Sequence, residues 1–404
     1  MDKFFPWEKI GKEVFFVLAD DLTGAAEVAG ICLRYGLKTT FGIDSIPKSN
    51  NFDVCVISTD SRSLTEKEAY KIHLSLAKKI SRKASQPFVY KKCDSVLRGY
   101  VLTEISPLFD IFDVNKVLLQ PSNPLATRCI KNGVYYIGDE KIQNTGFFSD
   151  PDFPSTTSEV SEILFQRSEL YTNTSKISTG EIQKLNDVGI YIPNCGNVEE
   201  LGKCLGLADE KTLLCGSAAF FEQILQKKGL KQQIKTQTNF SVSTDYLMIS
   251  AGTHPQSRIF NQEMAEKGII VKNFPEDLIQ KKVNDEKILR WTDKLIAEWA
   301  KERKMILTIS DKNIDFQNSS IVLKERLSLV VKKILEKCEI KELFIQGGAT
   351  AYSILETINQ KSLIPINELA PGVMRMKLKN KEQYITLKPG SYKWPDELLG
   401  VTVS

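Results

Sequence analysis

The chain has 404 residues, 26% of them charged and 42% hydrophobic, with a formal net charge of +4. That length exceeds one ordinary core, so two domains are expected, and the small net charge gives no ground for a nucleic-acid partner. No apolar run approaches the roughly 20 residues that span a bilayer, and the start Met1-Asp2-Lys3-Phe4-Phe5-Pro6 lacks the apolar centre of a signal peptide. A cytoplasmic protein without a membrane partner is therefore expected. The eight cysteines form no C-x-x-C pair, and His73 and His254 are the two histidines. Neither disulfides nor zinc or His-rich metal chemistry is expected.

Residues 14–19 are an unbroken apolar run, the pattern of a parallel strand buried on both faces. It ends in Asp20-Asp21, and Thr23-Gly24-Ala25-Ala26 opens a helix. One aspartate is expected to cap that helix, leaving the other free to face a cleft. The helix pattern covers 25–35 and stops at Gly36; 38–43 is extended and 54–58 a strand. A helix at 66–83 carries the stripe Ala69, Ile72, Leu76 and Ile80, with His73 beside it at the helix surface or core edge. Strands follow at 88–92, 117–120, 189–192 and 212–215. The alternation predicts an α/β fold.

The polar stretch 231–244 reads as a linker between domains 1–230 and 245–404. After it come a strand at 246–250, helices at 256–267 and 287–302, and a strand at 305–310. An amphipathic helix at 325–338 precedes the strand 343–346, which runs into Gly347-Gly348-Ala349-Thr350-Ala351 and another helix. Residues 373–378 and 384–388 read as a hairpin.

Polar groups gather after the predicted strands. Arg62 follows one, and Lys92, Asp94, Ser95 and Arg98 follow another; Arg128 lies past Pro121-Ser122-Asn123-Pro124. If these strands are neighbours, the cations converge above Asp20 and Asp21. Arginine binds carboxylate or phosphate bidentately and lysine as a point charge. In the second half, glycine turns follow strands at Gly252, Gly347-Gly348 and Gly390, where backbone N–H groups can approach a phosphate. Neither G-x-x-x-x-G-K-[ST] nor G-x-G-x-x-G occurs. The residues alone thus predict one anion-and-hydroxyl site and one phosphate site.

Three stretches resemble the signatures of the four-carbon acid sugar kinases: Ala19-Asp20-Asp21-Leu22-Thr23-Gly24-Ala25, Lys91-Lys92-Cys93-Asp94-Ser95-Val96-Leu97-Arg98-Gly99 and Gly347-Gly348-Ala349-Thr350-Ala351. Thr59-Asp60-Ser61-Arg62-Ser63-Leu64, Pro121…Pro124…Arg128…Gly133, Asp150-Pro151…Pro154 and Cys215-Gly216-Ser217-Ala218 extend the similarity in order over almost the whole chain. The resemblance implies two domains, each a mainly parallel sheet flanked by helices, with the ligand cleft between them. It implies an ATP-dependent kinase that phosphorylates a hydroxyl of a tetronate or 3-oxo-tetronate, with Mg²⁺ expected.

Carried over by position, Asp20, Asp21, Arg62, Lys92, Asp94, Ser95, Arg98 and Arg128 fall in the sugar-acid site, and Gly252, Ser257, Gly347, Gly348, Ala349, Thr350 and Gly390 in the nucleotide site. Of the two aspartates Asp21, nearer the turn, is the expected catalytic residue, orienting or deprotonating the accepting hydroxyl. His254, in the loop after the strand at 246–250, is expected either to contact the nucleotide or to shape the turn before the next helix. The sequence departs from the pattern where Ala349 replaces an acid, where Pro389 follows Lys388, and where Val96 replaces a threonine. The alternative is a non-catalytic protein that binds sugar acid and nucleotide. The oligomeric state stays open, with a homodimer among the options.

Overall fold

Apolar runs become the inner strands, because a strand covered on both faces must present apolar side chains to each. The computed structural model describes residues 14–48, 51–84, 87–171, 176–233, 243–252, 255–279, 285–309, 319–379, 381–390, 392–395 and 398. The chain divides into two compact units, Met1–Ile234 and Lys235–Ser404.

The first unit begins β1 (Phe15–Ala19), α1 (Leu22–Arg34), β2 (Thr39–Ile43), β3 (Val54–Ser58), α2 (Glu66–Lys83), β4 (Phe88–Lys92), α3 (Val101–Phe112) and β5 (Lys116–Gln120). It continues with β6 (Arg128–Lys131), β7 (Val134–Ile137), β8 (Glu140–Lys141), α4 (Val160–Gln166), β9 (Lys176–Gly180), β10 (Gly189–Pro193), α5 (Val198–Cys204), β11 (Thr212–Gly216) and α6 (Ala218–Lys227). Its main sheet runs β2-β3-β1-β4-β11-β5-β10-β9, every neighbouring pair parallel. A separate antiparallel sheet, β6-β7-β8, was not expected; its strands are short and half-exposed, so no apolar run announces them.

Local signals fix where the helices start. Asp21 caps α1, a reciprocal Thr65–Glu68 capping box opens α2, and Ser217 caps α6. Leu18, Ile57, Leu76, Ile80, Leu102 and Ile105 meet in the core of this unit. His73 departs from expectation. It is fully buried, because α3 packs over that face of α2 and supplies Glu104 beside the ring.

The second unit comprises β12 (Tyr246–Ser250), α7 (Pro255–Glu266), β13 (Ile270–Phe274), α8 (Asp285–Glu302), β14 (Lys304–Ile309), α9 (Ser319–Lys337), β15 (Glu342–Gln346), α10 (Gly348–Thr357), β16 (Ser362–Ala370), β17 (Val373–Leu378) and β18 (Tyr384–Lys388). Here β13-β14-β12-β15-β18 are parallel, and β17 runs antiparallel to both β18 and β16. The expected hairpin is β17-β18, to which β16 adds a third strand. Tyr246, Met248, Ile306, Phe344 and Trp394 form the core. Most of the stretch read as a linker, residues 234–242, lies outside the described residues; Gln233 N–H still bonds the Arg34 carbonyl at the end of α1.

The core assignment has a direct test. Ile57→Ala removes a fully buried side chain and should cost about 2–5 kcal/mol. Leu125→Ala, at a position 82% exposed, should change stability by less than about 0.5 kcal/mol. Urea midpoints of the two variants check the contrast.

Candidate functional site

In the first unit the chain goes from β1 to β2 and β3 on one side, then crosses to β4 on the other. Such a reversal opens a crevice at the carboxyl ends of the strands, where ligands bind in open α/β sheets. Ala19 pairs with Ser58 and Lys92, so the loops after β1, β3 and β4 leave the sheet side by side. Backbone bonds stitch them together: Thr59 N–H to the Ala19 carbonyl at 2.9 Å, and Arg62 N–H to the Asp20 carbonyl at 3.3 Å.

The Arg62 guanidinium sits among three carboxylates. It donates to Asp20 Oδ2 at 2.7 and 3.2 Å, and Nη2 lies 3.4 Å from both Asp21 Oδ1 and Asp94 Oδ1. The expectation that one aspartate stays open to a cleft needs correction. Asp21 caps α1, accepting from Gly24 N–H at 3.0 Å and from the Thr23 hydroxyl at 2.5 Å. Asp20 is 1% exposed and turned onto Arg62, and its Oδ1 has no hydrogen-bond partner. Asp21, with its side chain 15% exposed, is the more open of the two.

These environments push the neighbouring carboxyls apart. Burial drives Asp20 above the usual range despite Arg62, and Asp21 adds to the rise. Burial acts upward on Asp21 too, but Arg62, Lys92 and the Thr23 hydroxyl outweigh it and hold Asp21 low. Asp94 is held well below the usual range because Arg98 and Arg62 overcome its burial. Gly24 makes one close approach possible: a Cβ there would lie 2.5 Å from Asp21 Oδ1 and 2.9 Å from Lys92 Nζ.

An outer ring surrounds this cluster. Arg98 pairs with Asp94 at 3.0 Å and lies 3.5 Å from Asp150, with Phe147 under its guanidinium. Arg128 donates to the Ser95 hydroxyl, and the Tyr135 hydroxyl donates to the Ser95 carbonyl. Arg167 ties this rim together, donating to the carbonyls of Val96, Phe153 and Pro154. Below the cluster, Lys91 and Glu104 form an ion pair at 2.7 Å with no exposed surface. Burial acts to raise Glu104, but Lys91 and His73 prevail and bring it to about 2.

The second unit repeats the reversal around β12, which lies between β14 and β15. Gln346, at the end of β15, is the tie: its side-chain amide donates to the Ser257 hydroxyl and, at 3.0 Å, to the Gly390 carbonyl. A Cβ on Gly252 would lie 2.7 Å from that same amide. Gly347 caps α10, whose first turn, Gly348-Ala349-Thr350, carries no acid. Beside these groups is a cavity of about 290 Å³ lined by Ser257, Phe260, Gln346, Lys388, Tyr392 and Trp394. Burial pushes Lys388 down to about 8. His254 lies outside the described residues.

Among the described residues no group of three His, Cys, Asp or Glu side chains is placed to hold a metal ion. Three carboxylates do meet around Arg62, whose charge occupies the place a cation would take. These residues do not fit a protein-held Mg²⁺.

The Sugar-binding N-terminal domain family matches residues 15–224, and the Nucleotide-binding C-terminal domain family matches residues 249–392. The chain belongs to the four-carbon acid sugar kinase family. A D-threonate kinase of Salmonella typhimurium is 23% identical over 380 residues, covering 88% of this chain and 89% of that protein. A 3-oxo-tetronate kinase of Brucella melitensis is 20% identical over 414 residues, covering 93% and 92%. A solved structure from Salmonella typhimurium LT2 has a TM-score of 0.75 at 15% identity, over 94% of this chain and 97% of that one, and so shares the fold.

Within this sugar kinase family member, Asp20, Asp21, Arg62, Asp94 and Arg98 form one cluster, Lys92 borders it, and Ser95 and Arg128 pair on its rim. Gly252, Ser257 and Gly390 meet at Gln346. The sequence reading missed Lys91, Glu104, Asp150, Arg167 and Gln346. An acid in the apolar face of α3 was a signal for Glu104, and the Asp150-Pro151 stretch one for Asp150. Nothing local marked Gln346.

Acid stability reports on the buried charges. Glu104, held at about 2 against an ordinary 4.5, contributes stability that is full above about pH 4.5 and is lost as pH falls toward about 2. Asp94 and Asp21, also lowered, act with the same sign. His73, pushed by burial to about 4, does so between about 6.5 and 4. Asp20, raised, acts with the opposite sign. Urea midpoints should therefore fall from about pH 5 to pH 3, and less steeply in a Lys91→Met, Glu104→Leu double variant. An equal slope in both proteins would remove Glu104 from this account.

Proposed function

We propose that the chain is an ATP-dependent kinase that phosphorylates a hydroxyl of a four-carbon sugar acid, a tetronate or 3-oxo-tetronate. The observation that carries the reading is the convergence of Arg62, Arg98, Lys92 and Arg128 with Asp20, Asp21 and Asp94 at the switch point, in a unit matched by a sugar-binding family. The names of its relatives record D-threonate and 3-oxo-tetronate as substrates of those enzymes.

Asp21 orients the accepting hydroxyl, being ionised and the more open carboxylate. Arg98 and Arg128, on the rim, hold the substrate carboxylate, and Asp94 with Ser95 bonds its hydroxyls. Arg62 acts from inside, keeping three carboxylates in place. The first turn of α10 offers uncapped N–H groups and no acid to the nucleotide phosphates, with Gly252, Ser257 and Gly390 beside it. His254 is included from its place in the sequence. Phosphoryl transfer needs mostly positioning and charge neutralisation, which these groups supply. A divalent ion, where the reaction uses one, would come with the nucleotide phosphates.

A second reading, binding without turnover, is motivated by Ala349 and Pro389, which depart from the family pattern. An ADP-release assay over a panel of tetronates and 3-oxo-tetronates separates the two. ADP formed with at least one acid supports the kinase; a folded, silent protein that still binds a sugar acid supports the alternative. In the active protein, Arg98→Ala should raise KM for the sugar acid by about one to two orders of magnitude, the equivalent of a charged contact of roughly 1.5–3 kcal/mol. KM for ATP should stay nearly unchanged. Loss of ATP affinity instead would reverse the roles of the two units.

A further inference from the structure

Lys91, Glu104 and Ser61 make a polar network with no exposed surface, directly under the aspartate cluster. Lys91 Nζ is 2.7 Å from Glu104 Oε2, and the Ser61 hydroxyl donates to Glu104 Oε1 at 2.6 Å. Thr59 Oγ1 lies 2.9 Å from the Ala19 carbonyl and 3.0 Å from Ser61 Oγ, joining the network to the end of β1. Ser61 immediately precedes Arg62 in a short helical turn, entered through Asp60 in the left-handed region at φ 43°.

Gly99, at φ 89°, marks where the network and the cluster meet. A Cβ there would lie 3.5 Å from Asp20 Oδ2, 3.8 Å from Glu104 Oε1 and 3.9 Å from Arg62 Cγ. A buried ion pair returns little net stability compared with apolar residues of the same volume. The core has no need of one here. Arg62 does: it is a rotamer-rich side chain that must face three carboxylates from two other loops, and its turn has to be held from below.

We propose that Glu104 and Ser61 are positioning residues of the sugar-acid site. Lys91 fixes the Glu104 carboxylate, Glu104 fixes Ser61, and Ser61 sets the turn that aims Arg62 at Asp20, Asp21 and Asp94. The kinetic part of this proposal rests on the kinase reading.

A double-mutant cycle tests it. Ser61→Ala should raise KM for the sugar acid about tenfold and leave KM for ATP unchanged, whereas in an Arg62→Ala background it should change KM by less than about twofold. Glu104→Gln keeps an acceptor for Ser61 but leaves Lys91 unpaired, and it should show the same dependence on Arg62. Thermal unfolding confirms that each variant is folded. Equal effects in both backgrounds, or no effect of Ser61→Ala, overturn the proposal. A crystal structure of Ser61→Ala tests it without activity: the Arg62–Asp20 contact should be lost. An unmoved Arg62 overturns the proposal even if the wild type is a kinase, whereas a silent wild type with a displaced Arg62 overturns only the kinase reading.

Discussion

The contact between Arg62 and the three aspartates is the constraint on which the first unit's site depends. Asp20, Asp21 and Asp94 come from two loops that the sheet register sets side by side, since Ala19 pairs with Lys92. Carboxylates this close cannot all ionise without a cation among them. Arg62 supplies that cation from the third loop, after β3. The site is therefore nearly balanced in charge, not a bare basic patch. Its affinity for a sugar acid would come from the rim cations Arg98 and Arg128, which keep more solvent contact than the centre. In the proposed reaction, the interior charges would stiffen the place where the accepting hydroxyl is aimed.

The two adjacent aspartates show how one short stretch acquires two chemistries. Asp20 is buried and loses water, and Arg62, helped by Lys91 and Lys92, does not make up for that, so burial wins and its carboxyl is raised. Asp21 turns out to cap α1, gaining a backbone N–H, a hydroxyl and two cations, and its carboxyl is lowered. A lowered carboxylate is a weak base. Phosphoryl transfer through a loose transition state asks more for orientation than for base strength, so Asp21 suits the proposed reaction. Asp20, with no solvent-exposed oxygen, suits the bracing of Arg62.

Much of this was legible in the sequence, for a physical reason. Strands β1, β3, β4, β5, β11, β12 and β15 lie inside parallel sheets, and their apolar runs declare it. Strands β6 to β9, β13 and β16 are short, peripheral or half-exposed, and carry no such run. The loop residues Asp20, Asp21, Arg62, Asp94 and Arg98 were found because ligand groups follow strands in this fold class. What could not be read was which of them face one another. Arg62 was expected to bind substrate, and its guanidinium is found against Asp20, with Asp21 and Asp94 close by, because partner choice depends on sheet order and register. His73 was misplaced for a related reason: a helical stripe defines one buried face, and only the packing of α3 on α2 reveals a second.

The second unit solves the same geometric problem with a neutral group. Gln346 stands at a switch point as Arg62 does, and its amide draws together the turns around Gly252, Ser257 and Gly390. Among the described residues no carboxylate cluster needs a counter-charge there, and the α10 first turn is free of acids. An amide fixes backbone positions without adding a field, so the partial positive charge of the helix N-terminus is left for an anion. Ala349 belongs to this logic. It is exposed in that first turn, where an acid would oppose a bound phosphate unless a cation came between them. Its methyl group adds no charge to the turn and leaves the turn's backbone N–H groups to the anion proposed for it.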